Sequence, residues 1–92
     1  MKLVFDIETD DLDAKKIWCI VAKDVVTEQL YTYGPDQIEE GCELLCNADE
    51  LIGHNIIGFD LPVLRDLTRF KTLGVGQKIV DTLVLSRLFD PV

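Results

Sequence analysis

The spacing of apolar positions changes several times along the chain, and each change marks an element. Lys2–Ile7 alternates and is rich in residues that favour extended backbone, which predicts a first strand. Ile17–Val26, IWCIVAKDVV, predicts a second strand, and Glu28–Tyr33, EQLYTY, a third. A tight turn near Thr27 would join these two as a hairpin, ended by Gly34–Pro35. From Pro35 to about Asn47 the period becomes helical: Ile38, Cys42, Leu45 and Cys46 fall on one stripe. Pro35 suits a helix start, and Asp36, Glu39 and Glu40 suit the positive end of its dipole.

The second half alternates between short apolar runs and helical spacing. Glu50–Gly53 predicts a fourth strand, and Leu61–Phe70 a helix with Leu64 and Leu67 on its inner side. Gly74 and Gly76 break that helix. Lys78–Val80 predicts a fifth strand, and Asp81–Phe89 a third helix stopped by Asp90–Pro91. The order β-β-β-α-β-α-β-α predicts a single α/β domain over residues 1–92, with a mixed sheet. Ligands of such sheets sit beyond the strand ends at a topological switch point. The first strand would be central, with Asp6 and Glu8 at its carboxyl end.

Composition narrows the function classes. The chain has 92 residues, 48% of them hydrophobic, enough for one small core. No apolar run is long enough to span a membrane, and MKLVFDIE lacks the apolar stretch of a signal peptide. With only three cysteines, the chain reads as intracellular and cytoplasmic. Net charge is −8, from 17 acidic and 9 basic residues, which argues against passive binding to a phosphate backbone. Metal-dependent phosphate chemistry is not excluded, because a site for divalent cations must itself be rich in carboxylates.

Two stretches carry candidate chemistry. In LVFDIETDDL, Asp6 and Glu8 face one way and Phe5 and Ile7 the other. Two carboxylates on one strand face repel each other unless water or a cation separates them. Hard oxygen ligands suit Mg²⁺ or Mn²⁺, whereas a frayed strand end would leave both acids in water. In LIGHNIIGFDLPVL, Asp60 stands directly before Leu61–Pro62. It is either the helix cap or a ligand facing a cleft, and spacing does not separate the two.

Taken together, D-I-E-T-x-x-L at Asp6–Leu12, N-x-x-x-F-D at Asn55–Asp60 and V-D-T-L-V-L-S-R-L at Val80–Leu88 resemble the 3′–5′ proofreading exonuclease domain of phage-type family A DNA polymerases. That domain belongs to the DEDD exonucleases, with a ribonuclease H-like fold of five strands in a mixed sheet flanked by helices. The resemblance covers essentially the whole chain. It implies a two-metal phosphodiesterase acting on single-stranded 3′ ends of DNA, phage-encoded in a bacterial host. Asp6 would bridge two Mg²⁺ or Mn²⁺ ions, Glu8 would hold the ion that activates water, and Asp60 the other. Asn55 and Phe59 would shape the pocket, while Thr9 and Leu12 would contact the terminal base.

The family's fourth carboxylate, from a Tyr-x-x-x-Asp or His-x-x-x-Asp helix, has no counterpart before Val92. The expectation is a ribonuclease H-like domain truncated after the third helix, inactive or weakly active alone. A downstream polymerase domain or a partner chain would supply the remainder. Apolar surface left open by the truncation makes a homodimer a further expectation. The alternative is a non-catalytic ribonuclease H-like binding or assembly module.

The remaining residues read as structural. Cys42 and Cys46 lie on the apolar stripe and are expected in the core, as is Trp18 among Ile17, Ile20 and Val21. Asp81 suits a helix cap, Asp90 a helix stop, and His54 a hydrogen-bonding role. Arg65, Arg69, Lys71 and Lys78 read as a solvated face rather than a phosphate guide.

Overall fold

A computed structural model describes residues 1–89. Its elements are β1 (Lys2–Thr9), β2 (Ile17–Asp24), β3 (Leu30–Tyr33), α1 (Ile38–Cys46), β4 (Glu50–Gly53), α2 (Leu61–Leu67), β5 (Lys78–Asp81) and α3 (Thr82–Phe89). They form one five-stranded sheet in the order β3-β2-β1-β4-β5. β1 and β2, like β2 and β3, pair antiparallel; β4 joins β1, and β5 joins β4, in parallel. The predicted mixed sheet is therefore present, with β1 at its centre.

One face of the sheet is the core. Leu3, Phe5 and Ile7 of β1, Ile20 and Ala22 of β2 and Leu51 of β4 are buried together with Cys42 and Leu45 of α1 and Leu61 and Leu64 of α2. The close approach of α1 requires Gly41, because a Cβ there would stand 2.8 Å from Ile20 Cδ1 and 3.0 Å from the Tyr33 ring. Gln77 closes the far end of α1. Its Nε2 donates to the carbonyls of Leu45 at 2.8 Å, in the last turn, and Ala48 at 2.7 Å, just beyond the helix.

Several elements differ from the sequence expectation, each for a local reason. The hairpin turns earlier: β2 ends at Asp24, whose carboxylate accepts from the N–H groups of Val26 and Thr27. Glu28, in the left-handed region at φ 65°, completes the turn. The first helix opens with a separate 3₁₀ turn, Pro35–Gln37, and Cys46 falls at its exposed end rather than in the core. α2 stops at Leu67, which is 41% exposed, because the next residue, Thr68, is extended at φ −130°. Leu61 rather than Leu67 joins Leu64 on the inner side.

Trp18 is not in the core. Glu8 pairs with Cys19 but Thr9 pairs with Ile17, so β2 carries one extra residue, Trp18, in a β-bulge. The bulge keeps Ile17 and Ile20 both buried at a spacing of three and leaves Trp18 46% exposed. Strict alternation would have put one of them on the wrong face.

The basic residues are tethered. Arg65 donates to the Leu73 carbonyl and Lys71 to the Asp66 carbonyl, while Arg69 pairs with Glu39 and Lys78 with Glu50. Among the described residues, no helix is long and apolar enough to cross a membrane.

Candidate functional site

The site grows from the place where β4 leaves β1. Their parallel pairing covers Lys2–Val4 against Glu50–Ile52, while β1 continues to Thr9. Gly53 marks the departure: a Cβ there would lie 2.8 Å from the Phe5 carbonyl and collide with Ile56. Asn55 then turns the chain through the left-handed region at φ 59°. Ile56–Asp60 forms a single π-helical turn, closed by the Leu61 N–H donating to the Ile56 carbonyl, and runs directly into α2. Such turns are rare and carry one residue more than an α-helical turn.

This geometry removes one of the two readings of Asp60. Its backbone is already helical (φ −57°, ψ −51°) and its side chain makes no capping hydrogen bond. Asp60 is 3% exposed, and its buried Oδ2 has no hydrogen-bond partner. Burial pushes its carboxyl up to about 7, with the Asp6 charge adding to the effect. The backbone N–H groups of Ile7 and Asp60 pull the other way, and the charge of Asp81 adds a last upward push.

Of the other predicted residues, Asp6 acts on this acid through its charge. Asp6 and Glu8 are both exposed, on the face of β1 opposite the core. Among the described residues, no group of three or more His, Cys, Asp or Glu side chains converges as an ion cage. Thr9, half-buried, donates to the Asp11 carbonyl at 2.9 Å. Asp10 accepts from the N–H groups of Asp11, Lys15 and Lys16, fixing a loop on which Leu12 stands 93% exposed. Asn55 is exposed, and Phe59 packs partly buried against the core.

Asp81 does more than the cap expected of it. Its Oδ1 accepts from Leu83 at 2.9 Å and Val84 at 3.4 Å, which is the cap of α3. The same oxygen accepts from Asn55 N–H at 2.9 Å, and Oδ2 from Ile57 N–H at 2.9 Å. One carboxylate thus ties the end of β5 to the turn that presents Asp60. His54 reinforces the junction through Nδ1, 3.0 Å from the Thr82 hydroxyl. The residue type and its place before a helix signalled the cap; nothing in the spacing signalled the cross-link. Asp90 lies outside the described residues.

A cation fits one part of this arrangement. The Asp6 charge adds to the rise of Asp60, and Asp60 Oδ2 has no donor among the described residues. That is a donor set for a hard divalent ion. The described residues do not preform a cage for two ions.

The strand order β3-β2-β1-β4-β5, with helices on the mixed sheet, is a ribonuclease H-like fold. Among solved structures, the chain is similar to the family B DNA polymerase from the hyperthermophilic archaeon Pyrobaculum calidifontis, with a TM-score of 0.73 and 16% identity. The match covers 96% of this chain and 16% of that chain. A likeness at that identity establishes the fold, one that occurs within a DNA polymerase chain, and not the phage-type family A assignment. No protein-family model matches the chain, and no curated protein matches it in sequence.

Proposed function

We propose that the chain is a metal-dependent 3′–5′ exonuclease domain of proofreading type, associated with a DNA polymerase and related to the phage-type family A enzymes. The observation that carries this reading is Asp60: a buried carboxylate with an orphaned oxygen, placed beside Asp6 where the central strand runs past its neighbour. A cation there would favour the charged form of a carboxylate that burial otherwise keeps protonated up to about pH 7. Asp6 and Asp60, with Glu8 from the same face of β1, would hold Mg²⁺ or Mn²⁺. When bound, such ions activate water and stabilise the oxygen that leaves in phosphodiester hydrolysis. Thr9, Leu12, Asn55 and Phe59 would position the single-stranded 3′ end, Leu12 as an apolar contact at the tip of its loop.

Saturable Mn²⁺ binding by calorimetry, lost in Asp6→Ala and weakened in Glu8→Ala, is the expected result. Little digestion of single-stranded DNA by the chain alone is expected, since no group of three acids converges among the described residues. Brisk 3′–5′ digestion abolished by Asp6→Ala would overturn that part. The second reading is a non-catalytic ribonuclease H-like binding or assembly module, and the absence of any saturable Mn²⁺ binding would select it.

A further inference from the structure

The β-bulge that expels Trp18 from the core places it beside the candidate site. β1 residues Glu8 and Thr9 pair with Cys19 and Ile17, so Trp18 lies opposite the step between them. Glu8 is itself exposed on that strand. Leaving a large aromatic 46% exposed forfeits burial that a strictly paired strand would have provided. The Lys16 ammonium stands 4.3 Å from the ring centroid, holding a cation over the one exposed tryptophan of an otherwise acidic region. Bulges next to functional sites commonly re-aim a side chain in this way.

The surrounding charge decides what such a ring can take. Glu8, Asp10, Asp11 and Asp13 repel phosphates, so a nucleic acid held here needs a contact that does not depend on phosphate attraction. Stacking of a base on an aromatic face is that contact, and it tolerates any base. We infer that Trp18 is a stacking platform for an unpaired nucleobase of the single strand entering the site, with Lys16 facing the adjoining phosphate. The inference rests on the exonuclease reading above.

Trp18 is the sole tryptophan, so its own fluorescence reports the contact. The 92-residue chain would be titrated with a fluorescein-labelled deoxythymidine decamer, following label anisotropy for binding, and with the unlabelled decamer, following tryptophan emission for stacking. The expected result is saturable quenching that parallels the anisotropy. Affinity should fall about 5- to 150-fold in Trp18→Ala, the range that one stacked base supplies. Trp18→Phe should recover part of it, and Lys16→Gln should lower the salt dependence by about one ion. Circular dichroism melts separate a folding defect from a contact defect. Binding with unchanged emission, equal affinity in Trp18→Ala, or no binding of the decamer would each overturn the inference. Quenching that persists in Asp6→Ala and without Mn²⁺ leaves stacking intact while the metal titration decides the nuclease reading separately.

Discussion

Asp60 and Asp81 are buried to nearly the same degree, 3% and 4% exposed, and close enough for the charge of one to act on the other. Their states are nevertheless opposite. Burial also pushes the Asp81 carboxyl up, but N–H donors from Ile57, Asn55, Leu83 and Val84 outweigh it and hold the group below its ordinary value. Asp60 has an oxygen with no donor at all and is pushed up to about 7. Burial sets the size of the electrostatic penalty, and the donors decide whether it is met. One aspartate is finished as a structural link; the other still has an oxygen without a partner.

The largest expected effect comes from removing the finished partner. Asp81→Ala leaves four backbone N–H groups without their acceptor and should cost about 3 kcal/mol or more in urea denaturation, with Asp81→Asn losing less. The unfinished partner should behave in the opposite sense. Asp60→Asn removes a buried charge whose Oδ2 has no donor, so at pH 8 the variant should melt higher than the parent, by about 1–3 kcal/mol of stability, while losing any stabilisation by Mn²⁺.

The two acids also give stability profiles of opposite slope. The folded Asp60 keeps its proton up to about pH 7 while the unfolded group releases it near 3.8. Stability from that proton is therefore whole below pH 3.8 and is lost as pH rises towards 7, at about 1.4 kcal/mol for each pH unit between the two values. Asp81, with its folded value lowered, contributes stability above 3.8 that is lost as pH falls through its folded value. Melting temperatures between pH 3 and 8 should show both limbs, and Asp60→Asn should flatten only the upper one. Asp6→Asn should bring Asp60 back towards its ordinary value in a carboxyl NMR titration, because the Asp6 charge is one cause of the rise. The smallest effect is expected from His54→Ala, which removes one exposed hydrogen bond at the same corner, under about 1 kcal/mol by the same melts.

Much of the fold was legible because its signals are local. Phe5 and Ile7 alternate with acids along β1, ELIG is a short apolar run, and Cys42 and Leu45 share a helical stripe; each was found where expected. The misplacements at the site share one cause, a residue inserted into a regular period. The bulge at Trp18 and the π-turn at Ile56–Asp60 each add a residue, and pattern reading assumes that the period continues. Asp60 was therefore readable as a candidate, but its helical backbone without a capping bond was not, since the added residue is what moves it inside the helix. The link from Asp81 to Asn55 and Ile57 spans more than twenty residues and leaves no local trace.

That link has a kinetic consequence. Asn55 and Ile57 find their acceptor only when β5 has docked, since Asp81 ends that strand and pairs with Gly53. β4 and β1 can pair earlier, but the turn bearing Asp60 stays unanchored until residue 81 arrives. The candidate site should therefore be among the last parts of the molecule to become ordered during folding, after the central strands have already found each other. In a nascent chain it would be assembled only once the fifth strand had left the ribosome.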